Sequence, residues 1–76
     1  MEVVEQLLAV PGIDVNKART NGVTPLFMAC DRGHEAVVGQ LLAVPGIEVN
    51  KARTDGWTPL FIACQKGHEA VVGQLL

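Results

Sequence analysis

Apolar residues recur along the chain with the spacing of short amphipathic helices. Leu26, Ala29 and Cys30 form a first stripe, and a second stripe follows within a few residues. The second stripe consists of Val37, Val38, Leu41 and Leu42. Because residues three and four apart share one face of a helix, each stripe predicts a short helix with one buried side. Isolated helices shorter than about 12–15 residues are marginal in water, so both helices are expected to need neighbours.

The whole pattern occurs twice. When residues 1–42 are set against residues 35–76, 33 of the 42 positions are identical. We interpret the chain as a repeat array in which residues 1–10 form the second helix of an incomplete leading repeat. Residues 11–44 are then one complete unit, and residues 45–76 are a second unit that is truncated at its C-terminal end. Because each unit needs cover for its apolar faces, stacking of successive units is the expected folding mechanism.

Helix ends are marked by residues with specific backbone preferences. Thr24 is suited to cap the first free N–H groups of a helix, and Pro25 suits the first helical position. Gly33 favours the left-handed conformation that ends many helices. Pro45 cannot continue the second helix. The same signals recur at the equivalent positions of the second unit.

A turn is predicted before each first helix. The dipeptides Asn21-Gly22 and Asp55-Gly56 are typical of tight turns. Residues 16–22 are therefore predicted to form an extended finger with a tight reversal. The Val-Asn pairs that precede the fingers are too short to form an independent sheet.

The repeated unit resembles the ankyrin repeat. The similarity lies in the pattern G-x-TPLF-x-A-C-x-x-GHEAVV-x-QLL, which covers the whole chain together with the DVN and EVN segments. The matching residues of the first unit are Asp14, Val15, Asn16, Gly22, Thr24, Pro25, Leu26, Ala29, Gly33, His34, Val38, Leu41 and Leu42. Those of the second are Val49, Asn50, Gly56, Thr58, Pro59, Leu60, Ala63, Gly67, His68, Val72, Leu75 and Leu76.

The chain departs from the family pattern in two respects. Phe27 and Phe61 stand where the family usually has the His of TPLH, so a hydrogen-bonding ring is replaced by an apolar one. The loop after the second helix is one residue longer than usual, which gives a period of 34 rather than about 33. A local bulge without a change of fold is expected there.

The resemblance implies an all-α fold, an ankyrin-type helix-turn-helix solenoid fragment with short β-hairpin-like finger turns. It also implies a non-catalytic module for protein–protein interaction, which binds its partner through the finger tips and the concave surface of the first helices. The alternative is a structural one, in which the chain is part of a longer array and self-associates through apolar ends.

Composition narrows the range of functions. Six basic and eight acidic residues give a net charge of −2, which provides no electrostatic footprint for nucleic acid or for an anionic membrane. No apolar run approaches the roughly 18 residues of a membrane span. The chain has no Ser and no Tyr, and its cysteines lie on apolar helix stripes without an activating base, so no enzyme activity and no cofactor are expected. Two cysteines without a secretory leader favour an intracellular, cytoplasmic location.

The cysteines and histidines are expected to be structural. Cys30 and Cys64 occupy equivalent positions of stacked helices, which lie about 8–10 Å apart and beyond the reach of a disulfide. Two buried, reduced thiols are the prediction. His34 and His68 match no metal-ligand spacing, so no metal site is expected. The resemblance implies that these histidines hydrogen-bond between loops.

Positions that differ between the units are the best candidates for partner binding. Trp57 stands out because Trp is enriched among interface hot spots and here replaces Val23. Its alternative role is to cover the neighbouring finger within the chain. Met28 and Ile62 also differ, but are assigned to packing. The candidate partner-binding residues are Trp57, Asp55, Asn21, Val23, Asp31, Arg32, Gln65, Lys66, Arg19 and Arg53.

Four basic residues form a strip along the fingers. They are Lys17, Arg19, Lys51 and Arg53, and family units often carry Asp at the two Arg positions. The strip is compatible with an acidic partner or with an ordinary solvated surface.

Both ends of the array are apolar. Terminal repeats of a solenoid normally carry a polar outer face, which these ends lack. Homo-oligomerisation by end-to-end stacking or helix exchange is therefore the second hypothesis, with Val3, Val4, Leu7, Leu8, Val71, Val72, Leu75 and Leu76 as its candidate residues.

Overall fold

The computed structural model describes residues 15–76, which contain four short helices. Helix α1 spans Pro25–Arg32, α2 Glu35–Leu42, α3 Pro59–Lys66 and α4 Glu69–Leu75. No β-strand occurs in this part of the chain, so the all-α prediction is confirmed. The predicted leading helix of residues 1–10 lies outside the described residues.

The first helix of each unit begins and ends as predicted. Thr24 is extended and its Oγ1 accepts a hydrogen bond from the N–H of Phe27 at 3.1 Å. Thr58 does the same for Phe61, also at 3.1 Å. At the other end Gly33 has φ +70°, and its N–H reaches the carbonyl groups of the last turn. These caps satisfy N–H and C=O groups that a helix of eight residues otherwise leaves unpaired.

The second helix of each unit buries fewer side chains than the first helix. In α2, Val38 and Leu41 are buried, whereas Val37 and Leu42 are half-buried and pack against the core. Pro45 lies just beyond the end of α2, in the turn that leads to the second finger.

The fingers reverse at the predicted dipeptides. In the first finger the N–H of Gly22 donates to the carbonyl of Arg19 at 2.8 Å, and the N–H of Arg19 donates to the carbonyl of Val23 at 3.0 Å. Gly22 adopts φ +84°, a left-handed conformation that favours glycine. The second finger repeats both hydrogen bonds between Arg53, Gly56 and Trp57.

Stacking of the two units builds the core. Helix α1 packs on α3, and α2 packs on α4. Core residues come from both units: Val23, Leu26, Phe27, Ala29, Cys30, Val38, Leu41, Ile62, Ala63 and Val71. The helices are too short to be stable alone, so burial between units is the main source of their stability.

Candidate functional site

The second finger carries a charged pair at its tip. The Arg53 guanidinium donates to both carboxylate oxygens of Asp55, at 3.0 and 2.7 Å. This bidentate contact lowers the pKa of the Asp55 carboxyl below its usual range and raises that of Arg53. The Arg53 guanidinium carbon also lies 5.2 Å from the ring centroid of Phe27, so the side chain reaches across to the first unit.

A second pair lies at the ends of the first helices. Lys66 Nζ of α3 is 3.4 Å from Asp31 Oδ1 of α1. The Asp31 carboxylate also contributes to the raised pKa of Arg53, which places the finger and the helix ends within electrostatic reach of each other. Two oppositely charged pairs, Arg53–Asp55 and Lys66–Asp31, thus lie near the boundary between the units, and the second pair crosses it; we call these four residues the charged row.

Trp57 lies at the base of the second finger. Its ring centroid is 5.0 Å from that of Phe61, with an angle of 31° between the ring planes. The side chain is half-buried and packs against the core. Trp57 therefore makes intrachain contacts and still keeps part of its surface in solvent.

The predicted site residues divide by exposure. Val23 is only 9% exposed and belongs to the core, so it offers a partner little contact surface. Met28 is half-buried and packs against the core, in line with its assignment to packing. Exposed on the surface are Asn21, Asp55, Arg32, Gln65, Lys66 and Arg19, whereas Asp31, Arg53 and Trp57 are half-buried.

The basic strip is not a uniform positive surface. Arg53 is paired with Asp55, as described above. The Nζ of Lys51 lies 3.7 Å from Glu48 Oε2 and donates a hydrogen bond to the carbonyl oxygen of Asn16 at 3.1 Å. Lys17 and Arg19 are exposed on the first unit. Two of the four charges are thus compensated within the chain, which weakens the case for a purely acidic partner.

His68 joins the two units. Its Nε2 lies 2.9 Å from the carbonyl oxygen of Asp31. Because a carbonyl can only accept, the proton of this bond must reside on Nε2. The imidazole ring also lies against Gly33, where an added Cβ would be 2.8 Å from Nδ1. The ring therefore contributes to the contact between the units.

The two cysteines have different environments. Cys30 is fully buried, and desolvation raises its pKa to about 11. Cys64 is exposed, so the prediction of two buried thiols was wrong for this residue. Cys30 lies on α1, which packs on α3 of the second unit.

This difference predicts selective labelling. Under reducing pretreatment and at low protein concentration, a thiol reagent at neutral pH should modify Cys64 rapidly and Cys30 only after denaturant is added. The reason is that the reactive species is the thiolate, which burial suppresses at Cys30. Mass spectrometry of the labelled peptides measures both rates. Equal labelling rates in the folded protein would contradict the buried position of Cys30.

Apolar residues at the C-terminal end are only partly available. Val71 is buried against the core, so its side chain is not available for end-to-end stacking. Val72 and Leu75 are half-buried, and Leu76 is 88% exposed. The residues Val3, Val4, Leu7 and Leu8 lie outside the described part of the chain.

Sequence reasoning missed Phe61, which is 61% exposed although its repeat counterpart Phe27 is buried.

Residues 15–76 provide neither a metal centre nor a membrane-spanning helix. No group of three or more His, Cys, Asp or Glu side chains is placed to hold a metal ion in that range. Nor does the described part of the chain contain a helix with the length and apolar character needed to cross a membrane.

Comparison with known proteins agrees with the repeat architecture. A family model described as ankyrin repeats (3 copies) matches residues 1–76. A search of curated proteins found no match. Ankyrin repeats are generally modules for protein–protein interaction and are typically non-catalytic. The family match, the caps of the first helices and the stacked helix pairs together show that this chain belongs to the ankyrin-repeat family.

Proposed function

We propose that the chain is a non-catalytic protein-binding module whose partner contacts the finger tips and the C-terminal ends of the first helices. This finger–helix surface consists of Asn21, Arg53, Asp55, Trp57, Asp31, Arg32, Gln65 and Lys66. Its residues are those expected, from the family resemblance, to line the concave surface. Nucleic acid and membranes are not among the proposed partners.

The observation that carries the proposal is where the two units differ. Asn21 becomes Asp55, Arg32 becomes Lys66 and Asp31 becomes Gln65, and five of these six residues are exposed while the sixth is half-buried. Core positions such as Leu26 and Val38 are unchanged in the second unit. A solenoid presents side chains in a regular row. Differences between units at exposed positions therefore change the charge and hydrogen-bonding groups of that surface at little cost in stability.

The charge pattern favours one class of partner. The charged row holds two carboxylates and two cationic groups, and Trp57 adds an aromatic group that is partly open to solvent. A protein surface with both signs of charge around an apolar residue would complement this row, since charge complementarity fixes register and a Trp supplies much of the binding energy. An intracellular location is proposed with it, because Cys30 and Cys64 are free thiols.

A test can use substitutions that the repeat itself supplies. Trp57→Val and Asp55→Asn each place the residue of the first unit at the equivalent position of the second, so both should fold. Trp57→Val should weaken binding of a captured partner about thirtyfold, since truncating a Trp hot spot costs about 2 kcal/mol. The measurement is capture of proteins from a lysate by immobilised protein, followed by titration of the most enriched one.

Ile62→Met is the matched control. It also converts a residue of the second unit to its first-unit counterpart, but Ile62 is buried in the core. Capture should therefore be unchanged. If Trp57→Val and Asp55→Asn leave both capture and affinity at the wild-type level, the finger–helix surface is not the binding site.

A further inference from the structure

The tip of the first finger contains the only Asn-Gly pair of the sequence. Asn21 is exposed, and Gly22 follows it with a left-handed backbone of φ +84°. Glycine has no side chain to shield its backbone nitrogen from the side-chain amide of the preceding residue. Asn16 and Asn50 are followed by lysines, whose side chains hinder the same approach. Asn21 is therefore the asparagine at which attack by the next backbone nitrogen is least hindered.

The side chain of Asn21 is held by its own turn. Its Oδ1 accepts a hydrogen bond from the N–H of Val23 at 3.1 Å. A donor at this oxygen withdraws electrons from Cγ and stabilises the negative charge that an attack on Cγ places on Oδ1. The turn thus activates the amide group, and the exposed position at the finger tip gives water access to it.

The second finger shows how the same turn accommodates a carboxylate. Asp55 Oδ1 accepts a hydrogen bond from the N–H of Trp57 at 3.3 Å, which repeats the bond at Asn21. Arg53 pairs with the Asp55 carboxylate, and Arg19 is its exposed counterpart in the first finger. A carboxylate at position 21 would therefore fit the turn and have a cationic partner beside it.

Two contacts hold the first finger in a form that restrains an attack on this amide. The N–H of Gly22 donates to the carbonyl of Arg19 at 2.8 Å. The carbonyl of Asn21 accepts hydrogen bonds from the N–H and the Oγ1 of Thr54, at 3.1 and 3.0 Å. Because the nitrogen of Gly22 must lose its proton in order to attack, the finger has to open first. Thr54 of the second unit opposes that opening.

We propose that Asn21 is a site of spontaneous covalent modification, at which the side-chain amide becomes a carboxylate when the first finger opens. The Gly22 nitrogen gives up its proton and forms a bond to Cγ of Asn21, and the bond from Cγ to the amide nitrogen breaks. That nitrogen leaves with the proton as ammonia, and the ring that remains is a succinimide. Water then opens the ring at Cγ, which gives aspartate, or at the backbone carbonyl carbon, which gives isoaspartate.

The two products affect the chain differently. Aspartate adds a negative charge that can pair with Arg19, as the equivalent residues do in the second finger. Isoaspartate inserts the β-carbon into the main chain, so the hydrogen bonds of Gly22 and Thr54 lose their geometry. Asn21 belongs to the finger–helix surface, and either product would alter binding there. That consequence rests on the proposed function, whereas the reaction itself does not.

The test is incubation of the folded protein at neutral pH. Peptide mapping by mass spectrometry measures conversion at each asparagine, and Asn21→Asp protein is the standard for the aspartate product. Conversion is expected at Asn21, while Asn16 and Asn50 stay intact. The reaction should be faster in guanidinium chloride, where the contacts of the finger are absent.

Variants of Thr54 test whether the finger must open. Thr54→Val removes the hydroxyl that donates to Asn21 and keeps the shape of the side chain. Conversion should become about twofold to tenfold faster, the change in an opening equilibrium that the loss of one hydrogen bond produces. Thr54→Ser keeps the hydroxyl and should react at the wild-type rate.

Ile62→Val is the matched control for overall stability. Ile62 is buried in the core and lies in α3, outside the fingers. The substitution weakens the fold by an amount comparable to the loss of one hydrogen bond, so conversion through an open finger should not change. Circular dichroism confirms that every variant is helical.

Four results would overturn the proposal. The first is an Asn21 that stays intact in the folded protein over a period in which the unfolded chain is converted. The second is conversion of Asn16 or Asn50 at the same rate, and the third is equal rates for Thr54→Val and Thr54→Ser. The fourth is an acceleration by Ile62→Val as large as that by Thr54→Val, which would mean that the reaction requires global unfolding. None of these measurements involves a binding partner, so failure here is distinct from failure of the proposed function.

Discussion

Phe27→Ala is expected to remove a large share of the stability of the chain, about 3–5 kcal/mol, as for other buried Phe truncations. The ring is 2% exposed and Arg53 of the second unit covers it, so its removal leaves a cavity at the boundary between the units. The global stability of small domains is only about 5–15 kcal/mol. Urea denaturation followed by circular dichroism gives the free energy of unfolding.

Phe61→Ala is the matched control for that measurement. It deletes the same ring from the equivalent position of the second unit, but there the ring is 61% exposed. The main loss is the contact with Trp57, which is worth about 0.5–1.5 kcal/mol for an aromatic pair. Both variants are measured at low protein concentration, where self-association cannot cover Phe61. Equal costs for the two substitutions would show that Phe61 is buried in the monomer.

Much of the fold could be predicted because its determinants are local and occur twice. Thr24 and Pro25 start α1, and Gly33 ends it in the left-handed conformation, as the sequence indicates. The turn at Gly22 follows from a dipeptide whose backbone preference needs no tertiary context. Stacking of the units followed from helices too short to be stable alone, and the packing of α1 on α3 bears this out.

The exposure of side chains in the second unit could not be predicted in the same way. Phe27 and Phe61 are the same residue type in the same local sequence, and so are Cys30 and Cys64. Their exposure differs because the covering atoms come from the following unit, so periodicity alone cannot separate them. Val23 shows a related limit of periodicity: a position that varies between units is not necessarily exposed, and here the smaller side chain lies in the core.

The charged row was also beyond sequence reasoning. Arg53, Asp31 and Lys66 were all candidates, but their spacing does not reveal that Lys66 reaches Asp31 or that Arg53 pairs with Asp55. The Lys66–Asp31 contact depends on how the two units stack, whereas the Arg53–Asp55 pair forms within one finger. The structure thus pairs Lys51 and Arg53 of the predicted basic strip with Glu48 and Asp55.

Gly22→Ala is expected to cost more than its counterpart Gly56→Ala, although both glycines have positive φ, at +84° and +92°. A Cβ at position 22 would lie 2.7 Å from the backbone N of Thr54, whereas at position 56 nothing lies within 4 Å. Backbone atoms cannot rotate away as a side chain can. The methyl group must therefore push the fingers apart and strain the hydrogen bond from Thr54 to Asn21, which measures 3.1 Å.

Gly56→Ala isolates the cost of the left-handed backbone, about 1–2 kcal/mol. Gly22→Ala carries that cost together with an overpacking term of about 1–3 kcal/mol. Urea titrations monitored by Trp57 fluorescence give both values, since this indole lies at the base of the second finger. A finding that the two substitutions cost the same would mean that the fingers separate freely. The contact between them could then not hold Arg53 of the second finger over the ring of Phe27 in the first unit.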